Sequence, residues 1–163
     1  MKDKTHENHE NLKHFHEALG LCHTVIASVK KDKMNKEYVS YNASSPDELA
    51  LVNGARYCGF FFRERDSDNN MVCETWFGER RYKLLNLIEF DSTRKRMTVV
   101  VRNEEGQILV ICKGADSIIE KRLRKGQSTV KTTQGFMDAY AKEGLRTLLI
   151  ASKRISEQEY QAW

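Results

Sequence analysis

Thr98-Val99-Val100-Val101-Arg102, Asn103-Glu104-Glu105-Gly106 and Ile108-Leu109-Val110-Ile111 form the stretch from which the fold is read. The outer runs are rich in β-branched residues and read as strands. The middle run supplies turn chemistry, with Gly106 free to take a positive φ. The stretch therefore predicts a β-hairpin. Working outward, Leu87-Ile88-Glu89-Phe90-Asp91 and Ser92-Thr93-Arg94-Lys95-Arg96-Met97 lead into it, and Cys112-Lys113-Gly114-Ala115-Asp116 leads out. Pairing about the turn brings Met97 and Lys113 to one end of the hairpin, where Phe90, Lys95 and Lys113 can line one pocket. An aromatic face for a flat base, two ammonium groups for phosphate and a glycine for close backbone approach suit a nucleotide. By residue type alone the bland readings come first: a lone Phe in a strand is usually core, and Lys-Gly at a strand end is usually a solvated turn.

Upstream of the hairpin, residues 1–11 are polar and histidine-rich and are expected to be a disordered end or linker. Apolar residues at Leu12, Phe15, Ala18, Leu19, Cys22, Val25 and Ile26 follow helical spacing and predict an amphipathic helix ending near Ser28. Lys30 to Glu37 reads as a charged loop and Tyr38 to Tyr41 as a short strand. In Ser44-Ser45-Pro46-Asp47-Glu48, a serine cap precedes proline at the first helical position and carboxylates follow in the first turn. That predicts a helix to about Cys58, stopped by Gly59. Glu48 has two readings here: the reciprocal partner of Ser45 in a capping box, or an acceptor in a site.

Phe60 to Arg65, Met71 to Phe77 and Arg80 to Phe90 read as consecutive antiparallel strands, with turns at Asp66 to Asn70 and at Gly78-Glu79. Beyond the hairpin, Ala115 to Leu123 and Thr132 to Lys142 read as helices, the second closed by Gly144. Leu145 to Ser152 reads as a strand and Ser156 to Trp163 as the start of a final helix. The expected fold is α+β, a largely antiparallel sheet of about six or seven strands flanked by helices, in one domain over 12–163.

Bulk properties narrow the function. The net charge is +4, the charged fraction is 31% and no apolar run reaches the roughly eighteen residues of a membrane span. No signal-peptide pattern opens the chain. The basic runs Arg94 to Arg96 and Lys121 to Lys125 are too short, and too poor in interleaved aromatics, for a nucleic-acid stripe. The first of them suits an anionic nucleotide. The four cysteines form no Cys-x-x-Cys pair and read as small core residues of a chain kept in a reducing compartment. The histidines at 6, 9, 14, 16 and 23 follow no recognisable zinc spacing. A P-loop, a Rossmann glycine fingerprint and protein-kinase signatures do not occur. Any nucleotide is therefore expected to rest on side chains of the sheet.

In literal order, Glu89-Phe90-Asp91-Ser92-Thr93-Arg94-Lys95-Arg96-Met97 and Cys112-Lys113-Gly114-Ala115-Asp116 resemble the nucleotide-binding domain of the P-type ATPases. The Arg94-Lys95-Arg96-Met97 form is similar to the phospholipid-flippase, or type-IV, branch. Ser44-Ser45-Pro46-Asp47-Glu48-Leu49-Ala50-Leu51-Val52 and Glu143-Gly144-Leu145-Arg146-Thr147 agree with it, so the resemblance runs from about Leu19 to Trp163. Asp3-Lys4-Thr5 echoes the phosphorylated-aspartate motif of the same proteins, but His6-Glu7 follows where Gly-Thr is expected, and it reads as coincidence.

The resemblance implies an ATP-binding domain. Phe90 is implied to stack on adenine and Glu48 to accept from its exocyclic amine. Lys113 then stands beside base and sugar, and Gly114 allows close backbone approach. Ser92 and Lys95 face the nucleotide's polar side, and Arg146 with Thr147 meets the phosphates. For Ser92 and Thr147, ordinary turn or strand hydrogen bonding is an equal reading. Lys113→Glu is expected to abolish binding and leave the fold intact. Magnesium is implied to accompany ATP and to be ligated mainly by a phosphorylation domain elsewhere in the parent chain, as is the aspartate that accepts the γ-phosphate.

The chain is thus expected to be a fragment, catalytically silent alone, of an aminophospholipid translocase, lying at the cytoplasmic face of its membrane. Its partners would be the phosphorylation, actuator and transmembrane domains and an accessory subunit, with no nucleic acid. The alternative from a different class is a non-catalytic protein- or nucleic-acid-interaction module using the basic clusters.

Overall fold

A computed structural model of the chain describes residues 6–163. The centre is a six-stranded, wholly antiparallel meander in sequence order: β3 (Phe60–Arg65), β4 (Asn70–Thr75), β5 (Gly78–Asp91), β6 (Arg96–Arg102), β7 (Ile108–Gly114) and β8 (Leu149–Ile155). A separate hairpin pairs β1 (Ile26–Lys31) with β2 (Glu37–Asn42). The helices are α1 (His9–Leu21), α2 (Pro46–Tyr57), α3 (Asp116–Ile119), α4 (Thr129–Lys142) and α5 (Glu157–Ala162), and a short 3-10 turn, Glu120–Arg122, follows α3. The α+β architecture expected from the hydrophobic pattern is the one observed.

The core lies between one face of the sheet and α1 with α2. Met97, Val99 and Val101 of β6 and Leu109 and Ile111 of β7 alternate onto it, as a period of two requires. They meet Leu21 and Cys22 at the end of α1 and Val52 and Ala55 of α2, all essentially inaccessible to water. Each buried aliphatic side chain contributes about 1.5–3 kcal/mol. On the other face, Tyr160 of α5 donates its hydroxyl to Asn86 of β5, and Val100 and Ile108 are buried there. Gly59 closes α2 at φ +87°, and the Trp76 ring occupies the space a side chain would need.

Several boundaries differ from the sequence reading: α4 begins at Thr129 rather than Thr132, and α3 ends at Ile119 and passes into the 3-10 turn where a helix to Leu123 is expected. The first helix starts at His9, inside the stretch expected to be disordered, and ends at Leu21 rather than near Ser28. His23 stops it. The buried imidazole accepts from the Val25 amide at Nδ1 (3.1 Å) and so donates from Nε2 to the Gly20 carbonyl (2.8 Å), replacing the next helical turn with side-chain bonds. Val25 then enters the core and Ile26 begins a strand, so their helical spacing has a different cause.

The Lys30 to Glu37 loop contracts to 32–36, because Asp32 accepts from the Met34 and Lys36 amides and ties a tight hairpin. Strand β4 stops at Thr75, whose hydroxyl donates to the Gly78 carbonyl and accepts from the Phe77 amide, so the turn begins there. The last strand begins at Leu149, not Leu145, which leaves residues 145–148 as an irregular connection. Asp3-Lys4-Thr5 lies outside the described residues. Among the described residues, no helix is long and apolar enough to cross a membrane.

Candidate nucleotide-binding site

The β6–β7 register brings Met97 opposite Lys113 and Arg96 opposite Gly114, as the hairpin reading requires. Strand β5 adds the third member of this row in an irregular way. Ile88 pairs with Thr98 and Asp91 with Arg96, so Glu89 and Phe90 together face the single residue Met97. This is a β-bulge, and a bulge re-aims a side chain that strict alternation would send elsewhere. Consecutive residues Glu89 and Phe90 consequently line the same cleft. Phe90 is 63% exposed, which excludes the reading of it as a core residue.

The cleft has a volume of about 390 Å³, and its opposite wall is the N-terminus of α2. That helix starts as the sequence indicates: Ser45 caps it, accepting from the Glu48 amide at 3.4 Å, and Pro46 takes the first position. The reciprocal half of the capping box is not made. The Glu48 side chain turns away from Ser45 and enters the cleft floor. One carboxylate oxygen meets Lys113 Nζ at 2.9 Å, and the other accepts from the Thr24 amide (3.1 Å) and hydroxyl (2.7 Å). Both members of the ion pair are more than nine-tenths buried. Burial alone would raise the Glu48 pKa, but Lys113 and Thr24 outweigh it and hold the carboxyl below its ordinary range. The His23 turn presents Thr24 for this, with burial lowering the imidazole pKa to about 4 so that it stays neutral.

Glu48, Phe90, Lys113 and Gly114 therefore come together in one cleft, and the other four predicted residues lie outside its lining. Ser92 and Lys95 sit in the exposed turn between β5 and β6. The Asp91 carboxylate accepts from the Thr93 and Arg94 amides and organises that turn. Lys95 has φ +53°, and its carbonyl accepts from the Ala115 amide. Gly114 has a structural duty: a Cβ there would stand 2.3 Å from the Lys95 carbonyl oxygen and 2.7 Å from Arg96 Cα. The close approach this glycine permits is between β7 and the β5–β6 turn.

Arg146 and Thr147 lie in the irregular connection and line an adjoining apolar groove with Phe136 and Tyr140. Arg146 Nη1 contacts both carboxylate oxygens of Asp47, at 3.0 and 3.2 Å. Asp47 and Leu148 border both hollows. Sequence reasoning missed Thr24, Ser44, Ser45, Asp47, Leu51, Glu89, Met97 and Leu148 as cleft residues. The bulge that recruits Glu89 has no signal in the hydrophobic pattern, whereas Asp47 was visible beside Glu48 in the helix start. Among the described residues no group of three or more His, Cys, Asp or Glu side chains is arranged to hold a metal ion.

Comparison with known proteins adds the family. A model described as the P-type ATPase cytoplasmic domain N matches residues 11–162. The chain belongs to this family. It is 45% identical over 155 residues to a probable phospholipid-transporting ATPase 5 of Arabidopsis thaliana, covering 91% of this chain and 12% of that protein. It is 42% identical over 159 residues to the phospholipid-transporting ATPase DNF1 of Chaetomium thermophilum, covering 96% and 10%. To the mouse phospholipid-transporting ATPase IC it is 43% identical over 145 residues, covering 89% and 11%. The chain thus spans about a tenth of the length of these curated relatives, and the resemblance read from its motifs is the family it belongs to.

Proposed function

We propose that this N domain binds ATP in the cleft between α2 and the Phe90–Lys113 row, as the nucleotide-holding part of a phospholipid-transporting P-type ATPase. One observation carries the reading: a bulge holds the Phe90 ring out to solvent at the rim of a cleft whose floor is a buried Glu48–Lys113 pair. An exposed aromatic face is unfavourable to keep in water and well suited to a flat base, with stacking contributing about 1–3 kcal/mol. Adenine lies on Phe90, and its exocyclic amine donates to Glu48, whose oxygens keep lone-pair capacity beyond Lys113 and Thr24. Lys113 and Gly114 stand beside base and sugar. Ser92, Lys95, Arg146 and Thr147 are left at the exposed margins, where the phosphates emerge.

The charges fit that division. Asp47, Glu48 and Glu89 line the cleft against a single cation, Lys113, so its interior favours base and ribose over polyanion. The γ-phosphate projects outward, available to an aspartate of a phosphorylation domain in the parent chain, with magnesium carried on the phosphates and ligated mainly there. An aspartyl phosphate forms and hydrolyses, and the transmembrane domain moves aminophospholipid toward the cytoplasmic leaflet. The domain works at the cytoplasmic face, alongside the actuator domain and an accessory subunit.

Amide NMR shifts on titrating ATP test this. Changes confined to 24, 44–51, 88–97, 113–114 and 146–148 support it. Saturating ATP without change at these positions refutes it, as would salt-sensitive binding elsewhere that ignores ATP.

A further inference from the structure

The Asp47–Arg146 pair joins positions 99 residues apart in sequence and bridges the two hollows. Asp47 is the second residue of α2 and borders the cleft. Arg146 sits in the irregular connection between α4 and β8, two residues before Leu148, which also lines the cleft. The guanidinium is 80% exposed, and Asp47 is the partner its side chain contacts. Only Nη1 makes that contact, leaving the rest of the fork uncommitted. A planar guanidinium takes phosphate as well as carboxylate. Here the carboxylate already holds it.

We propose that Asp47 limits the affinity of this site for phosphorylated ligands by holding Arg146, so that a polyphosphate binds by exchanging places with the Asp47 carboxylate. The inference rests on the nucleotide reading above for its physiological ligand, not for the exchange itself. The exchange has an electrostatic consequence. Once Arg146 moves to phosphate, Asp47 is left as an unpaired anion at the rim of a cleft that Glu89 also lines, facing a polyanion. Both effects oppose phosphate binding, and neither touches a ligand that has no phosphate. Asp47 therefore separates nucleotides by charge: it costs affinity for ATP and spares adenosine.

The test is calorimetric titration of wild type, Asp47→Asn, Arg146→Ala and the double variant with ATP, adenosine and inorganic tripolyphosphate. Thermal melts run beside each titration, with Asp47→Ser in reserve if Asp47→Asn unfolds. Asp47→Asn is expected to tighten ATP and tripolyphosphate roughly three- to tenfold and to leave adenosine unchanged. Arg146→Ala is expected to weaken both polyanions, and Asp47→Asn to give a clearly smaller gain in the Arg146→Ala background than in wild type, because only relief of repulsion is left to gain there.

Unchanged or weaker polyphosphate binding in Asp47→Asn overturns the proposal. So does a gain that survives in full in the Arg146→Ala background, which would assign the whole effect to repulsion by Asp47. If wild type binds neither ATP nor adenosine, the nucleotide reading fails, and the tripolyphosphate arm decides the exchange by itself. Tripolyphosphate binding to none of the four proteins then overturns the exchange too.

Discussion

Replacing Lys113 with methionine removes the ammonium that neutralises Glu48 and keeps most of the side-chain volume. The carboxylate would remain, more than nine-tenths buried, with Thr24 as its remaining partner. Breaking a buried pair from one side costs about 3–5 kcal/mol, because the surviving charge is left without compensation. For a domain of this size about 1 kcal/mol moves Tm by roughly 2–4 °C, so the expected drop is roughly 6–20 °C. Glu48→Gln/Lys113→Met removes both charges and keeps an amide that Thr24 can still bond through its oxygen. It should recover to within about 1–2 kcal/mol of wild type. Urea denaturation of the wild type, the two single variants and the double variant gives the coupling energy directly. A single-variant cost under about 1 kcal/mol with negligible coupling would mean that water screens the pair, and the floor assigned to the cleft would be wrong. The same burial corrects the expectation for Lys113→Glu: setting two carboxylates together in this pocket destabilises the fold, so loss of ATP binding in that variant would not isolate a binding role.

Phe90→Ala should leave the melting temperature nearly unchanged, since its ring fills no cavity, and should weaken ATP by about 1–3 kcal/mol with little salt dependence; a large drop in Tm with unchanged affinity would contradict this. Gly114→Ala should cost about 1–3 kcal/mol by forcing the Lys95 carbonyl and the Arg96 backbone away from β7, and a melt at wild-type temperature would refute that contact. ATP should bind with a Kd on the order of 0.1–1 mM and ADP almost as well, which calorimetry refutes if the two differ more than about 100-fold. Because His23 titrates at about 4 in the fold against about 6.5 unfolded, the unfolded state binds the extra proton between those values. Stability is therefore full above pH about 6.5 and falls by on the order of 3 kcal/mol as pH drops toward 4, and urea midpoints equal at pH 7 and 4.5 would show that His23 is not held neutral.

The sheet was legible because its strands carry β-branched alternation and its turns carry glycine, asparagine and aspartate at the required places. The Asn103 to Gly106 turn fixes the β6–β7 register, and the pairing of Met97 with Lys113 follows from it. Two kinds of feature escaped. The first is local backbone competition. His23 ends α1 by side-chain bonds to Gly20 and Val25, and nothing in the apolar spacing distinguishes Val25 in the core from Val25 on a helix. The second is the bulge at Glu89-Phe90. Nothing in the fourteen residues of β5 marks where its register shifts, yet the extra residue opposite Met97 decides that Phe90 faces the cleft. Glu48 shows a third limit. Its capping-box pattern was real, and Ser45 does cap the helix, but a long-range ammonium outcompeted the local amide for the carboxylate.

On the proposed reading, the charge arrangement suits a domain that gives its nucleotide's phosphate away. The cation that sequence reasoning placed against the ligand, Lys113, is committed to Glu48, and the cleft it lines contains more carboxylates than ammonium groups. A site built to retain a polyanion would invert that balance, as guanidinium clamps and glycine nests do. Here the cations free to meet phosphate stand on exposed connections: Lys95 on the β5–β6 turn, and Arg146 before β8 under the hold of Asp47. Affinity for the base is, on the proposed reading, built on the sheet and α2, and affinity for the phosphates is left to exposed side chains at the rim. On the proposed reading this lets the γ-phosphate leave for another domain without breaking the contacts that hold the nucleotide. Adding a cation to the cleft lining should tighten ATP and slow that transfer. Glu89→Lys, which reverses the charge beside Phe90 without touching the Glu48–Lys113 pair, should therefore raise ATP affinity in this domain and lower the phosphorylation rate in the full-length protein; a rise in both would separate affinity from transfer and undo the argument.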